Sequence, residues 1–361
     1  MNYLIRGYYG SGNVGDDALV YTLTEEISLQ DPTANFSIIS NNKVYLENDI
    51  ELKTSYVRPT NKDIIKGLLN SDVLLFGGGG QFQNTSSKKV SRGLLKQLYL
   101  ILIAKILFKK VLMYSVSFGP TNSVLDKIIL RIIVNLSDKI NLRDEKSLSF
   151  VKSKKQRKKI SISNDISERL PYENKQIRTS YNVVGITVVP INKIKFNNYQ
   201  KDLLFLDNLV KALIKSEFRE GYVFKIIIFH KGDLRGDESY SKLLRTKLIE
   251  AGLENELVNY HSNPLVMLEE VSECNYYIGG RLHSIAFANM TNIPFLSLSY
   301  HPKFEGFIKY NNKKNPLLID VYQSNSDEIT KKINKLLTTS PEIFTIDPLN
   351  DKYMKEFFEV K

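Results

Sequence analysis

Arg281 and His283 are the side chains in this sequence best set for acid–base chemistry on an anion. They lie in "YYIGGRLHSIAFANM", residues 276–290, where an apolar run ends in Gly279 and Gly280 and a helical pattern opens at Arg281, Leu282, His283 and Ser284. Glycines let a ligand approach the backbone closely. A helix N-terminus presents N–H groups to an anion, and an arginine grips a phosphate or carboxylate with two parallel bonds. A histidine titrates near neutrality and can deliver a proton in a transition state. Residues two apart do not share a helical face, so Arg281 and His283 reach one ligand only if the helix begins after Arg281. The competing reading is an ion-paired arginine beside a packed histidine. The double glycine at a strand end favours the ligand.

Other candidates share that placement. His230 follows "FKIIIF", His261 follows "ELVNY", and "SYHPKFEGF", 299–307, offers His301 and Lys303. No closely spaced ligand pair accompanies the histidines, so no metal is expected. Near the start, "GYYGSGNVGDDALV" places Gly10, Gly12 and Gly15 at the spacing of a dinucleotide-binding turn. Asp16 and Asp17 occupy the helix N-terminus where a pyrophosphate would sit, and the second strand ends in Ser40, Asn41 and Asn42 with no acid for a ribose. A dinucleotide is therefore not expected. The run "GGGG", 77–80, followed by Gln81, predicts a ligand lying directly on backbone.

Alternating β and α patterns must position these residues. Strands are predicted at 2–9, 35–40, 72–76, 111–117 and 138–142, with helices at 16–29, 62–70, 91–108, 122–136 and 144–153. The second half gives strands at 182–189, 222–229, 256–260, 275–279 and 294–298, and helices at 200–216, 238–251, 264–272, 282–290 and 326–338. Continuously apolar strands such as "DVLLFGG" must be covered on both faces. The class is α/β, with two doubly wound, parallel, Rossmann-like sheets. Domains are expected over 1–166 and 181–340, joined by a polar linker at 167–180. A tail helix over 341–361 is expected to pack on the first domain. Ligands in open α/β sheets bind beyond the carboxyl ends of the strands, so the candidates above are expected around an interdomain cleft.

Composition narrows the partners. The net charge is +11 and there is one cysteine, Cys274, which fits a reducing cytoplasm. "MNYLIRGYYG" enters a strand with no signal-peptide pattern. "KSKKQRKK", 152–159, is either a solvated loop or an attractor of anionic lipid or substrate. The basic residues are not interleaved with stacking aromatics, which argues against nucleic acid. "LLKQLYLILIAKILFKKV", 94–111, is too short and too interrupted by Lys96 and Lys105 to span a bilayer. Its stretch 98–108, with the lysines at 109–110 and 152–159, is expected either to fill the core or to dock on an anionic membrane.

"GYYGSGNVGDDA", "GGGGQF", "VSFGP", "LRDEKS", "GGRLHSIAFA" and "SYHPKFEGF" resemble, in this order, the motifs of the polysaccharide pyruvyl transferase family, from Gly7 to Phe307. The resemblance implies a glycosyltransferase-B-like (GT-B) architecture using phosphoenolpyruvate as co-substrate and no other cofactor. It implies transfer of pyruvate, as a ketal, to a sugar of a bacterial surface polysaccharide or its polyprenyl-linked precursor. Arg281 and His283 are then catalytic, and the donor lies against Gly279, Gly280, Arg281, Leu282, His283, Ser284 and Lys303. The acceptor falls to Tyr9, Gly10, Asn13, Asp16, Asp17, Gly78, Gly79 and Gln81. Family members often carry an arginine at the end of the first strand of the second domain. Val189 and Pro190 stand there instead, which leaves Lys193, Lys195 or Lys303 to replace it. A nucleotide-sugar glycosyltransferase and an inactive glycan-binding protein of the same fold are the alternatives.

Overall fold

The computed structural model describes residues 1–84, 90–121, 123–150, 154–172, 182–232, 236–301, 303–310, 317–344 and 354–358. The chain forms two compact units. The first comprises Met1–Ser11, Asp16–Leu170 and Ile346–Lys361, and the second Gly12–Gly15 and Pro171–Thr345.

The first unit holds a parallel sheet of β1 (Asn2–Arg6), β2 (Asn35–Ile39), β3 (Thr54–Val57), β4 (Val73–Asn84), β5 (Lys110–Thr121), β6 (Lys139–Leu142) and β7 (Ile160–Ile162), ordered β3-β2-β1-β4-β5-β6-β7. The second holds a parallel sheet of β8 (Asn182–Thr187), β9 (Tyr222–Ile227), β10 (Asn255–Val258), β11 (Tyr276–Gly279), β12 (Phe295–Ser299) and β13 (Leu317–Asp320), ordered β10-β9-β8-β11-β12-β13. Each is the doubly wound α/β arrangement expected. The order reverses between β1 and β4 in one sheet and between β8 and β11 in the other, where such sheets bind ligands.

Three edge strands, β3, β7 and β13, go beyond the sequence reading. They are only three or four residues long and not fully buried, so they lack the continuous apolar run that marks the central strands. The helix predicted at 144–153 is a 3-10 turn over Glu145–Phe150. Ser147 explains it: its hydroxyl accepts from the Phe118 N–H at 2.8 Å and its N–H bonds Asp144 Oδ1 at 2.9 Å, which locks one tight turn. The stretch 167–180 does not begin as a linker. Ile166–Arg169 form a short turn with Ser167 and Glu168 buried, and Arg169 Nε lies 2.7 Å from Glu26 Oε1 within the first unit. Residues 173–180 lie outside the described residues.

The glycine run is the largest correction. Residues 77–80 do not follow the strand as a loop but belong to β4, still paired with β5. A β-carbon on Gly78 would meet the Leu19 side chain at 2.9 Å, and one on Gly77 would strike Leu23 and the Tyr9 hydroxyl. The helix Val14–Gln30 packs its leucines directly on this backbone, which excludes any larger residue. Gly78 and Gly79 also have φ of +69° and +81°, a region other residues rarely adopt.

Residues 354–358 are helical and pack on the first unit. Phe357 meets Tyr114 at 4.9 Å between ring centroids, and Lys139 Nζ donates to the carbonyls of Glu356 and Phe357 at 2.7 and 3.0 Å. Cys274 is buried, and burial pushes its thiol up to about 12. Among the described residues no helix is long and apolar enough to cross a membrane.

Candidate active site

In the second unit, the end of β11 is drawn tightly against the end of β8. The Gly280 N–H donates to the Thr187 carbonyl at 2.7 Å, and a β-carbon there would meet that same oxygen at 2.7 Å. The next residue, Arg281, is the N-cap of the helix Leu282–Met290 and has extended backbone, φ −110° and ψ 141°. Helical geometry therefore starts after Arg281, the condition under which Arg281 and His283 can serve one ligand. Ser284 is buried and returns its hydroxyl to the Arg281 carbonyl at 2.8 Å, which fixes this turn. Leu282 and Ile285 anchor the helix in a small apolar cluster with Phe304.

Arg281 is held from behind. Its Nε lies 3.1 Å from Oδ2 of Asp237, which is fully buried, and Asp237 Oδ1 accepts from the His230 N–H at 2.8 Å. Burial pushes the Asp237 carboxyl above its usual range, and the Arg281 guanidinium and the His230 N–H oppose that. A buried carboxylate that grips Nε dictates where the guanidinium plane lies.

Gly12–Gly15 of the glycine turn belong to this same unit, and their contacts show what surrounds Gly12 and Gly15. Gly12 O accepts from the Lys231 N–H at 2.8 Å, the Val14 N–H donates to Phe229 O at 3.0 Å, and Asn13 bridges His230. The Gly15 N–H bonds Asn13 Oδ1 at 3.1 Å. These peptide groups are engaged within the protein. A β-carbon built on Gly15 would fall on the His283 imidazole. At Gly15 the space a β-carbon would need is taken by the histidine side chain.

A cationic cluster surrounds Tyr300. Lys195 Nζ lies 5.4 Å from the ring centroid and Lys303 Nζ 5.5 Å from it. Burial alone would raise the Tyr300 phenol, but Lys303, Arg281 and Lys195 outweigh it and hold the phenol below its ordinary value. Lys195 rides on the helix Ile191–Phe196, whose first turn is pinned by the buried Asp202 through the N–H groups of Asn192 and Lys193 at 2.9 and 2.7 Å. Its Nζ also donates to the Tyr300 carbonyl at 3.2 Å. Val189 points into the core, so the position where an arginine was sought offers no charge. Lys193 lies instead over Tyr199, at 5.4 Å.

Not every strand-end residue joins this group. His261 lines a separate cavity of about 490 Å³ with Lys225, Glu256 and Glu270. His301 accepts from the Lys303 N–H at 3.2 Å through Nδ1. Among the described residues, no group of three or more His, Cys, Asp or Glu could hold a metal ion.

In the first unit, several expected acceptor residues brace the fold. The Tyr9 hydroxyl donates to Gly77 O, Asp17 Oδ1 accepts from the Gly10 N–H at 2.7 Å, and Gln81 Nε2 donates to Gly78 O at 2.8 Å. All three side chains are buried. Asp16 is only half-buried, and its carboxylate lies beside Gly79, 3.8 Å from where a β-carbon there would stand. Sequence reasoning missed Tyr300 and Asp237. Tyr300 lay in plain view in "SYHPKFEGF", but its character comes from Lys303 in the same stretch together with Arg281 and Lys195, which are distant in sequence.

A family model described as polysaccharide pyruvyl transferase matches residues 13–302. No curated protein matches the chain. Among solved structures, Anabaena Alr3699/HepE, in complex with UDP and glucose, is 12% identical with a TM-score of 0.56, over 98% of this chain and 92% of that one. UDP-GlcNAc 2-epimerase from Neisseria meningitidis, bound to UDP-GlcNAc, is 13% identical with a TM-score of 0.58, over 100% and 95%. The S. aureus MnaA–UDP co-structure is 11% identical with a TM-score of 0.59, over 98% and 93%. These likenesses show the GT-B fold of glycosyltransferases and epimerases.

Proposed function

Because the chain belongs to the polysaccharide pyruvyl transferase family, we propose that it transfers pyruvate from phosphoenolpyruvate to two hydroxyls of a sugar. The supporting observation is the gathering of Arg281, Lys303 and Lys195 around Tyr300 beside the strand-end glycines, with His283 the second residue of the adjoining helix. A donor carrying both a phosphate and a carboxylate calls for more than one fixed cation. In this reading Arg281, oriented by Asp237, takes one anionic group, and Lys303 and Lys195 take the other. Gly279, Gly280 and the first amides of the helix Leu282–Met290 lie along the donor.

His283, protonated, gives its proton to the methylene carbon, which becomes a methyl group. The carbon bearing the phosphate is then attacked by a sugar hydroxyl, and the bond to phosphate breaks. The second hydroxyl closes the ketal. Of the two hydroxyl protons released, one restores His283 and the other leaves with phosphate or solvent. Asn13, in the same unit as the donor residues, is the acceptor-side group we put forward to orient the sugar. Cations come from side chains, so we propose that no resident cofactor is needed. Turnover is expected to persist after dialysis against a chelator, and loss restored by one divalent ion would overturn that.

The structural neighbours solved with UDP favour a second reading, a nucleotide-sugar transferase. Calorimetric titration separates the two. The account expects heat of binding with phosphoenolpyruvate and none with UDP, and the reverse would overturn it. Lys195→Met is expected to weaken phosphoenolpyruvate binding about tenfold, the scale of one charge-assisted contact. An unchanged dissociation constant would remove Lys195 from the donor site.

A further inference from the structure

Two neighbouring helices of the first unit expose an apolar face that the reaction above does not use. The helices are Arg92–Ile106 and Val124–Leu136, which pack against each other. Asp126, buried in the first turn of the second helix, accepts from the N–H of Ser91, the N-cap of the first, at 2.9 Å. This bond sets the two N-termini side by side. The first helix is not apolar all round in effect, because Leu94, Leu100, Ile101 and Ala104 turn into the core. Its other face shows Leu95, Tyr99, Leu102 and Ile106, spaced four, three and four residues apart, which is one helical stripe. The second helix shows Val124, Leu125, Ile128 and Ile132 in the same way. Ile106 is 72% exposed and Val124 71%. Scattered surface leucines need no explanation, but a patch continuous over two helices does.

Phe108 adds an independent signal. It lies just past Leu107, the C-cap of the first helix, 94% exposed, with φ of +56°. The Phe108 N–H bonds Lys105 O and the Lys109 N–H bonds Ala104 O, a helix terminus whose left-handed position is normally a glycine. Here the chain holds a bulky aromatic in a backbone conformation that disfavours it, and presents the ring to solvent.

Charge decides what would cover the patch. The two helices carry Arg92, Lys96, Lys105, Lys127 and Arg131 against one carboxylate, the buried Asp126. Arg92, Lys96 and Lys127, with Lys110 just beyond the first helix, are exposed. A second copy of the same surface would oppose these cations to themselves, since a two-fold interface is self-complementary. An anionic bilayer accepts both the apolar side chains and the cations. The basic run at 152–159 contributes less than its composition promised. Lys159 donates to the carbonyls of Asn135 and Ser137, where it closes the second helix, and residues 152–153 lie outside the described residues.

We propose that this face, running from Leu95 and Val124 at the N-terminal end of the two helices to Ile106 and Phe108 at the C-terminal end of the first, is a peripheral docking surface for anionic lipid. The test uses the full chain and vesicles of phosphatidylcholine with or without about one-third phosphatidylglycerol. Binding is expected to the anionic vesicles alone and to weaken at high salt. Phe108→Gly suits the backbone better than the native residue, so it should melt no earlier than the parent. It should nonetheless lose roughly tenfold in vesicle partitioning, as burial of one aromatic side chain implies. Lys96→Gln with Lys127→Gln should weaken binding while leaving the apolar stripe intact. No binding to anionic vesicles would overturn the proposal, as would unchanged partitioning of Phe108→Gly. Concentration-dependent self-association that Phe108→Gly abolishes, without vesicle binding, would instead assign the face to a second copy.

Discussion

His283→Ala is expected to lower turnover by about a hundredfold or more, the range supplied by a positioned general acid, while phosphoenolpyruvate still binds. The expectation follows from the division of labour at the end of β11. In the proposed function the anion grip falls to Arg281, Lys303 and Lys195, and His283 stands on the helix that opens after Arg281. Gly15→Ala provides a second route to the same conclusion. A β-carbon at Gly15 would collide with the imidazole, including its own β-carbon at 2.7 Å, so the ring must move. Gly15→Ala should therefore reduce turnover far more than donor affinity, although residue 15 has no side chain able to catalyse anything. Near-normal turnover in His283→Ala would remove the acid role. A loss of donor binding equal to the loss of turnover would place His283 in the grip instead.

Arg281→Lys is expected to weaken donor binding by a factor of about a hundred. The arginine does two things at once: its Nε engages the buried Asp237 Oδ2 at 3.1 Å and its remaining nitrogens offer a planar edge. A lysine can satisfy Asp237 or the donor but has no second prong. Its failure also threatens the buried carboxylate, since removing one partner of a buried pair costs about 3–5 kcal/mol. Thermal melting of the variant therefore belongs beside the titration. A variant that melts like the parent and binds phosphoenolpyruvate poorly fits the account. Parent-like binding would move the donor elsewhere.

The fold was legible because its central strands are continuous apolar runs separated by amphipathic helices, a pattern set by local composition. The edge strands were not, because Thr54–Val57 and Ile160–Ile162 are too short to show a period. The glycines divide the same way. Their presence near strand ends was visible, but their reasons were not. Gly77 and Gly78 make room for Leu19 and Leu23, and Gly15 makes room for His283, which is more than 250 residues away in sequence. Spacing alone suggested a dinucleotide turn, and only the hydrogen bonds to Phe229 and Lys231 show how those peptide groups are used. Arg281 and His283 could be singled out because they follow a double glycine. Asp237 could not, since nothing local distinguishes a helix-capping aspartate from one that orients an arginine. Tyr300 was hidden for a related reason: Lys195, Arg281 and Lys303 come from three separate elements.

The transfer itself is the most direct test. The protein is incubated with phosphoenolpyruvate and a panel of hexosides bearing neighbouring free hydroxyls, and the glycosides and phosphate are analysed by mass spectrometry and phosphate assay. The account predicts a hexoside heavier by one pyruvate ketal, with one phosphate released for each ketal formed, and no such product from His283→Ala. A panel that gains a sugar from a UDP-hexose, and no pyruvate from phosphoenolpyruvate, would contradict it.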